Sequence, residues 1–127
     1  MLHPATKIRT NEGVKSLFYA LVGMNIDTPE GMRFITNLND YKAKRVIRFV
    51  FDNGVEIYSS PMTKFYTDDS HVVYAKDLKE GDLVQGKNGT VKLSEVWDVM
   101  FEDKKYITIK TDSLYENYYV YDSILVG

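Results

Sequence analysis

Hydrophobic and polar positions alternate along much of this chain with the two-residue period of half-buried strands. Val46 to Phe51 reads VIRFVF, Val55 to Tyr58 reads VEIY, and Tyr106 to Thr111 reads YITIKT. Thr90 to Met100 sets Val91, Leu93 and Val96 between polar neighbours and predicts a strand, irregular in places. Met1 to Thr10 predicts a short strand about Ile8. Turn signals separate these runs: Asn11-Glu12-Gly13, Asp52-Asn53-Gly54, Asp68-Asp69-Ser70 and Gly86-Lys87-Asn88-Gly89. Asn53-Gly54 suits the two positive-φ positions of a type I′ hairpin.

Helical spacing is confined to short pieces. Val14, Leu17, Phe18, Leu21 and Val22 predict one or two turns. Asp27-Thr28-Pro29-Glu30-Gly31 reads as a loop or a helix start, since Pro suits the first helical position. A short helix over Arg33 to Leu38 is expected after it. Another helical turn is expected near Ala75 to Leu78, before Gly81-Asp82 and a strand. Trp97 and Phe101 are assigned to the core, Glu102-Asp103-Lys104-Lys105 to a turn, and Lys42-Ala43-Lys44-Arg45 to a solvated strand entrance. Tyr115, Tyr118, Tyr119 and Tyr121 are read as alternating along an edge or barrel-like strand, explained by packing. No repeat of 20 to 50 residues stands out.

Composition narrows the class. At 127 residues, with 44% hydrophobic and 27% charged positions, the chain reads as a single domain over 1–127, soluble and globular. Ten Tyr and six Phe favour strands. A net charge of −2 and a pI near 5.7 argue against a nucleic-acid partner. No apolar run is long enough to span a membrane, and the first ten residues lack the apolar segment of a signal peptide. With no Cys, disulfides, thiolate chemistry and Cys-based zinc sites are excluded. Two His and no Cys make a metal site improbable, and no cofactor is expected.

The middle of the chain has a recognisable order: strand, Asp-Asn-Gly turn, strand, Ser60-Pro61-Met62-Thr63-Lys64-Phe65, helical turn, Leu78-x-x-Gly81-Asp82, strand. It resembles the centre of the Hint domain, the fold shared by inteins and hedgehog autoprocessing modules. Thr6-Lys7-Ile8-x-Thr10-x-x-Gly13-x-x-Ser16-Leu17 resembles the opening motif of inteins. Asn117-Tyr118-Tyr119-Val120-Tyr121-Asp122-Ser123-Ile124-Leu125-Val126-Gly127 resembles their ending, with one extra residue in the turn. The three likenesses fall in the right order across nearly the whole chain. They imply an all-β horseshoe of two pseudo-symmetric β subdomains with one or two short helices. They also imply adjacent termini, with pairing between the Met1–Thr10 and Ile124–Gly127 segments. Where larger inteins carry an endonuclease, four residues suffice here, so the resemblance is to a minimal form.

The resemblance implies self-excision with ligation of the flanking host segments, which are then the partners; a complementary intein fragment is a further candidate. It implies a monomer that follows its host protein, by default in the cytoplasm. The reaction needs a thiol or hydroxyl on the first residue, a general acid in a Thr-x-x-His motif, and an Asn that cyclises at the far end. Met1 occupies the nucleophile position, and its thioether has no proton to lose. Either the natural protein begins here, or an initiator Met replaces the first residue; the second is favoured because the match resumes at Leu2. Ser60 stands for the Thr, and Thr63 stands where the His would be, as in some viral and metagenomic, terminase-type inteins that lack it. Gly127 takes the penultimate position, one residue short of the Asn. Together these departures read as a form held inert. Asp122 is a weak further candidate and otherwise an ordinary turn residue. His3 lies near the expected centre but is read as a surface residue, and His71 as exposed. The contrasting reading is a stand-alone, viral binding or structural protein that keeps the scaffold without catalysis.

Overall fold

The computed structural model describes residues 1–98 and 104–127 in full and the backbone of 99–100. Thirteen antiparallel strands and two 3₁₀ turns make up the described residues. The chain is all-β, as expected. In order the strands are β1 (Lys7–Thr10), β2 (Gly13–Ser16), β3 (Asn25–Thr28), β4 (Gly31–Lys42), β5 (Val46–Phe51), β6 (Glu56–Ser59), β7 (Lys64–Tyr66), β8 (Val72–Tyr74), β9 (Leu83–Gly86), β10 (Gly89–Met100), β11 (Lys105–Thr111), β12 (Tyr118–Val120) and β13 (Ile124–Val126). The 3₁₀ turns are Leu17–Tyr19 and Ala75–Asp77.

The strands form two sheets. One runs β11-β4-β3-β1-β2; the other runs β6-β5-β10-β9-β13-β7-β8, with β12 paired to β13. The two halves of the chain repeat one plan. Leu17 N–H bonds Thr6 O at 2.8 Å and Phe18 N–H bonds Pro4 O at 2.9 Å; in the second half Ala75 bonds Thr63 and Lys76 bonds Pro61 at the same two distances. Gly23 and Ile35 are linked as Gly81 and Leu93 are. Thr10 faces Ile26 as Thr67 faces Val84. Both long strands, β4 and β10, contain 12 residues. Pro4, Thr6, Lys7 and Thr10 have identical counterparts in Pro61, Thr63, Lys64 and Thr67, a duplication hidden from a search for shorter periods. The halves exchange strands: β5 pairs with β10, and β11 pairs back with β4. The expected pair of pseudo-symmetric β subdomains is present.

One difference between the halves positions the chain ends. In the second half β13 is wedged between β9 and β7, setting Ile124 opposite Gly86 and Val126 opposite Phe65. The expected pairing of Met1–Thr10 with Ile124–Gly127 does not form, because β13 has its partners in β7, β9 and β12. The opening segment instead pairs through Leu2 with Ser59 and Ile107. The main apolar core draws on both halves, with Leu2, Ile8, Ile26, Ile35, Phe49, Phe65, Leu93 and Ile124 among its buried members.

Other expectations are corrected. Arg33 to Leu38 is not helical but lies within β4, paired on one side with β3 and on the other with β11. The preceding Thr28-Pro29-Glu30-Gly31 closes a hairpin, because the Thr28 hydroxyl donates to Gly31 O at 2.7 Å and accepts from Glu30 N–H at 3.1 Å. Thr10 ties its own turn to Gly13 and Glu12 in the same way. A Thr so engaged completes the turn locally and removes the helix start. In Val14 to Val22 only Leu17 and Ala20 are buried, and the helical content is a single 3₁₀ turn after β2. At Asp52-Asn53-Gly54 only Gly54 has positive φ, at +86°. Gly54 N–H bonds Phe51 O and Phe51 N–H bonds Val55 O, so the loop has three residues and ends in a left-handed glycine rather than making a type I′ turn. Trp97 is 54% exposed and is not core; β10 shifts register between Trp97 and Met100, and such a bulge reorients side chains. Phe101 and the Glu102-Asp103 part of the predicted turn lie outside the described residues. Tyr115 precedes β12 and is exposed, so the four tyrosines do not share a strand. The strand entrance at Lys42 to Arg45 is solvated except for buried Ala43.

Unfolding in urea separates the two aromatic readings. Phe49→Ala, which empties a fully buried site, is expected to lower stability by about 3–5 kcal/mol. Trp97→Ser is expected to change it by less than about 0.5 kcal/mol, as surface changes do.

Candidate functional site

The first and last residues bind consecutive positions, Thr63 and Lys64. The Met1 amino group donates to Thr63 Oγ1 at 2.7 Å, and that hydroxyl donates to the Met1 carbonyl at 2.8 Å. Ser60 N–H donates to the same carbonyl at 2.9 Å. At the other end Gly127 N–H donates to Lys64 O at 2.9 Å, and Lys64 N–H to Gly127 O at 3.0 Å. Such a reciprocal pair is the close-spaced unit of an antiparallel ladder and fixes Gly127 in register.

Local structure explains these seats. Leu2 exchanges backbone bonds with Ile107 on β11 and bridges Ser59 at the end of β6, so residue 1 projects past both. The chain leaves β6 through Ser60 and Pro61, and Thr63 N–H closes that corner onto Ser60 O. Ser60 and Thr63 are both buried, with hydroxyls 3.5 Å apart. Burial holds the Met1 amine down at about 5, well below its ordinary value, so it is neutral at pH 7. A cleft of about 230 Å³ opens here, lined by Met1, Ser60, Lys64, Thr108, Glu116 and Gly127 among others.

Four of the five candidate positions thus meet at one place: Met1, Ser60, Thr63 and Gly127. Asp122 is engaged elsewhere. It sits at φ +50° in the turn before β13, and its carboxylate takes a two-pronged bond from Arg9, at 2.9 and 2.7 Å. That bond holds the Asp122 carboxyl below its ordinary value and ties the closing hairpin to β1. His3 turns its Nδ1 back to the Ala5 N–H, with its ring beside Tyr58 and Tyr106. His71 is exposed, as expected, and is paired with Asp69. No group of three or more His, Cys, Asp or Glu among the described residues is arranged to hold a metal, and no helix among them is long and apolar enough to cross a membrane.

Sequence reasoning passed over two residues of this centre. Tyr66 is 7% exposed, and its hydroxyl lies only 2.7 Å from where a Cβ on residue 127 would stand. Asn117 lines the same cleft as that phenol and also borders Gly127. The usable signal was Tyr66 following Phe65 at the end of a very short apolar run, where an inward-facing hydroxyl needs a partner.

Comparison with known proteins found no matching family model and no matching curated protein. Solved structures do match over nearly the full length. The gp41-1 intein is 20% identical, covering 99% of this chain and 96% of its own at a TM-score of 0.86. The MchDnaB-1 intein is 14% identical over 100% and 99%, at 0.87. The bacterial intein-like domain from Clostridium thermocellum is 21% identical over 96% and 94%, at 0.83. The chain has the intein, or Hint, fold in a minimal form.

The buried amine yields a pH prediction for the free chain. Its pKa is lowered in the folded state, so the unfolded chain binds the extra proton between about pH 8 and pH 5. Stability is expected to fall as pH drops through that window. Acetylating the amino terminus removes this component, and unfolding midpoints of the two forms at several pH values check it.

Proposed function

We propose that the stretch 1–127 is one protein-splicing unit that excises itself and joins the segments flanking it, and that with Met1 in first place it is held before the first step. One observation carries this reading: residue 1 and residue 127 are bonded to adjacent residues at the mouth of a single cleft. A reaction that cuts two peptide bonds and joins the outer pieces requires both junctions at one centre.

Each residue has a definable task. In a fusion, the nitrogen of residue 1 is the leaving nitrogen of the first scissile bond, and Thr63 Oγ1 already touches it. A thiol or hydroxyl on residue 1 attacks the preceding carbonyl carbon, the C–N bond breaks, and the departing nitrogen takes up a proton. Thr63 and Ser60 hold the carbonyl of residue 1 and so set the angle of attack. The Thr63 hydroxyl orients that nitrogen but is a far weaker acid than an imidazolium. The Met1 thioether cannot attack at all. At the far end the Lys64–Gly127 pair presents the next residue, an Asn in this reading, for cyclisation. The partners are the flanking segments of the same polypeptide.

The test is restoration. Met1→Cys, with Asn and then Ser placed after Gly127, is expected to splice slowly when set between two carrier proteins. Mass spectrometry after a day distinguishes ligated product from precursor. Folded but intact precursor overturns the proposal and favours a scaffold that binds without cutting. In the restored fusion Thr63→His is expected to speed the first step by about 10²-fold, at the lower end of what one proton-transfer group contributes, read as thiol-induced cleavage at the first junction.

A further inference from the structure

Resting on the splicing reading, we infer that Tyr66 is a catalytic residue of the second cleavage: its hydroxyl hydrogen-bonds the carbonyl of the residue after Gly127 while that bond breaks.

The inference starts from the one place where the backbone of residue 127 has no room. A Cβ there would meet Tyr66 Oη at 2.7 Å, and the next nearest atoms, on Asn117, lie at 3.6 and 3.7 Å. The hydroxyl fills the volume where a side chain on residue 127 would grow. A side chain there would have to displace the hydroxyl, so the closing strand and the phenol are fitted to each other. Tyr66 and Asn117 line one cleft beside Gly127, so the phenol faces the end of the closing strand. The Gly127 carbonyl accepts from Lys64 N–H on the β7 side, and the acceptor assigned to the Tyr66 hydroxyl is the next one along the chain, the carbonyl of the residue that follows. Tyr66 is buried, and burial pushes its phenol up from the ordinary value, so it stays protonated through neutral pH. It is carried on β7, the strand that pairs with β13, and therefore moves with the junction.

The step balances without any added reagent. The side-chain nitrogen of an Asn after Gly127 bonds to that residue's own carbonyl carbon and loses a proton. Negative charge develops on the carbonyl oxygen, where the Tyr66 hydroxyl donates. The C–N bond to the following residue then breaks, and the leaving amine gains a proton. A succinimide remains on the excised chain. A fixed donor aimed at such an oxygen acts on the transition state more than on the ground state.

The experiment isolates this step by leaving Met1 in place and appending Asn, Ser and a reporter protein after Gly127. The parent fusion is expected to release the reporter. Tyr66→Phe is expected to slow release by about 10²-fold, the scale of one such donor, with an unchanged thermal midpoint. Gly127→Ala is expected to slow release as well. The double variant is expected to be no slower than Tyr66→Phe alone, because the obstructing oxygen is gone. In the Met1→Cys background, Tyr66→Phe is expected to leave thiol-induced cleavage at the first junction in place, which a general loss of structure would not. A parent that cleaves and a Tyr66→Phe variant that cleaves equally fast overturn the inference alone. Equal slowing at both junctions also overturns it. A folded parent that releases nothing overturns the splicing reading and this inference together.

Discussion

Two long strands, β4 and β10, each require an edge partner that the other half of the chain supplies. An unpaired backbone edge of that length would leave a row of donors and acceptors unmatched. β4 takes β11 and β10 takes β5. This exchange prevents either half from completing its sheet alone, and it brings the ends of β6 and β11 to the same neighbourhood. The first two residues fill the gap between them, bonded at Leu2 to Ile107 and bridged to Ser59. The seat of residue 1 is thus a by-product of how the halves satisfy their backbones.

Breaking the internal symmetry does the rest. Thr6 and Thr63 are equivalent in the repeated plan, each closing a corner and accepting from a 3₁₀ turn. Only Thr63 faces a chain end, because Leu2 seats Met1 against it, and only the second half admits an extra strand between its counterparts of β1 and β3. That strand, β13, carries Gly127 to Lys64 and against Tyr66.

Much of this was legible in the sequence. Alternation in VIRFVF, TVKLSEVWDVM and YITIKT marked β5, β10 and β11 because one face of each strand is buried. The motif order from Ser60 to Asp82 predicted a helical turn, found at Ala75–Asp77. What failed did so for identifiable reasons. Arg33 to Leu38 was read as a helix because its pattern is weak, and two flanking strands override such a preference. Trp97 was assigned to the core on size alone, whereas the β10 register shift decides its exposure. The β13 partners and the Tyr66–Gly127 fit depend on contacts between distant segments. No local period records them, though the identical pairs Pro4/Pro61 and Thr6/Thr63 were in view throughout.

The seating of Leu2 between Ser59 and Ile107 sets an order of assembly. Closing a loop from residue 2 to β11 spans most of the chain, and such distant closures come late in folding. During synthesis β11 emerges about a hundred residues after Leu2, and β13 later still. Residue 1 therefore has no strand on one side until β11 is made, and Lys64 has no partner at Gly127 until β13 is made. The fold acts as a timer: the seat of residue 1 stays incomplete until β11 has been made, and that of Gly127 until β13 has.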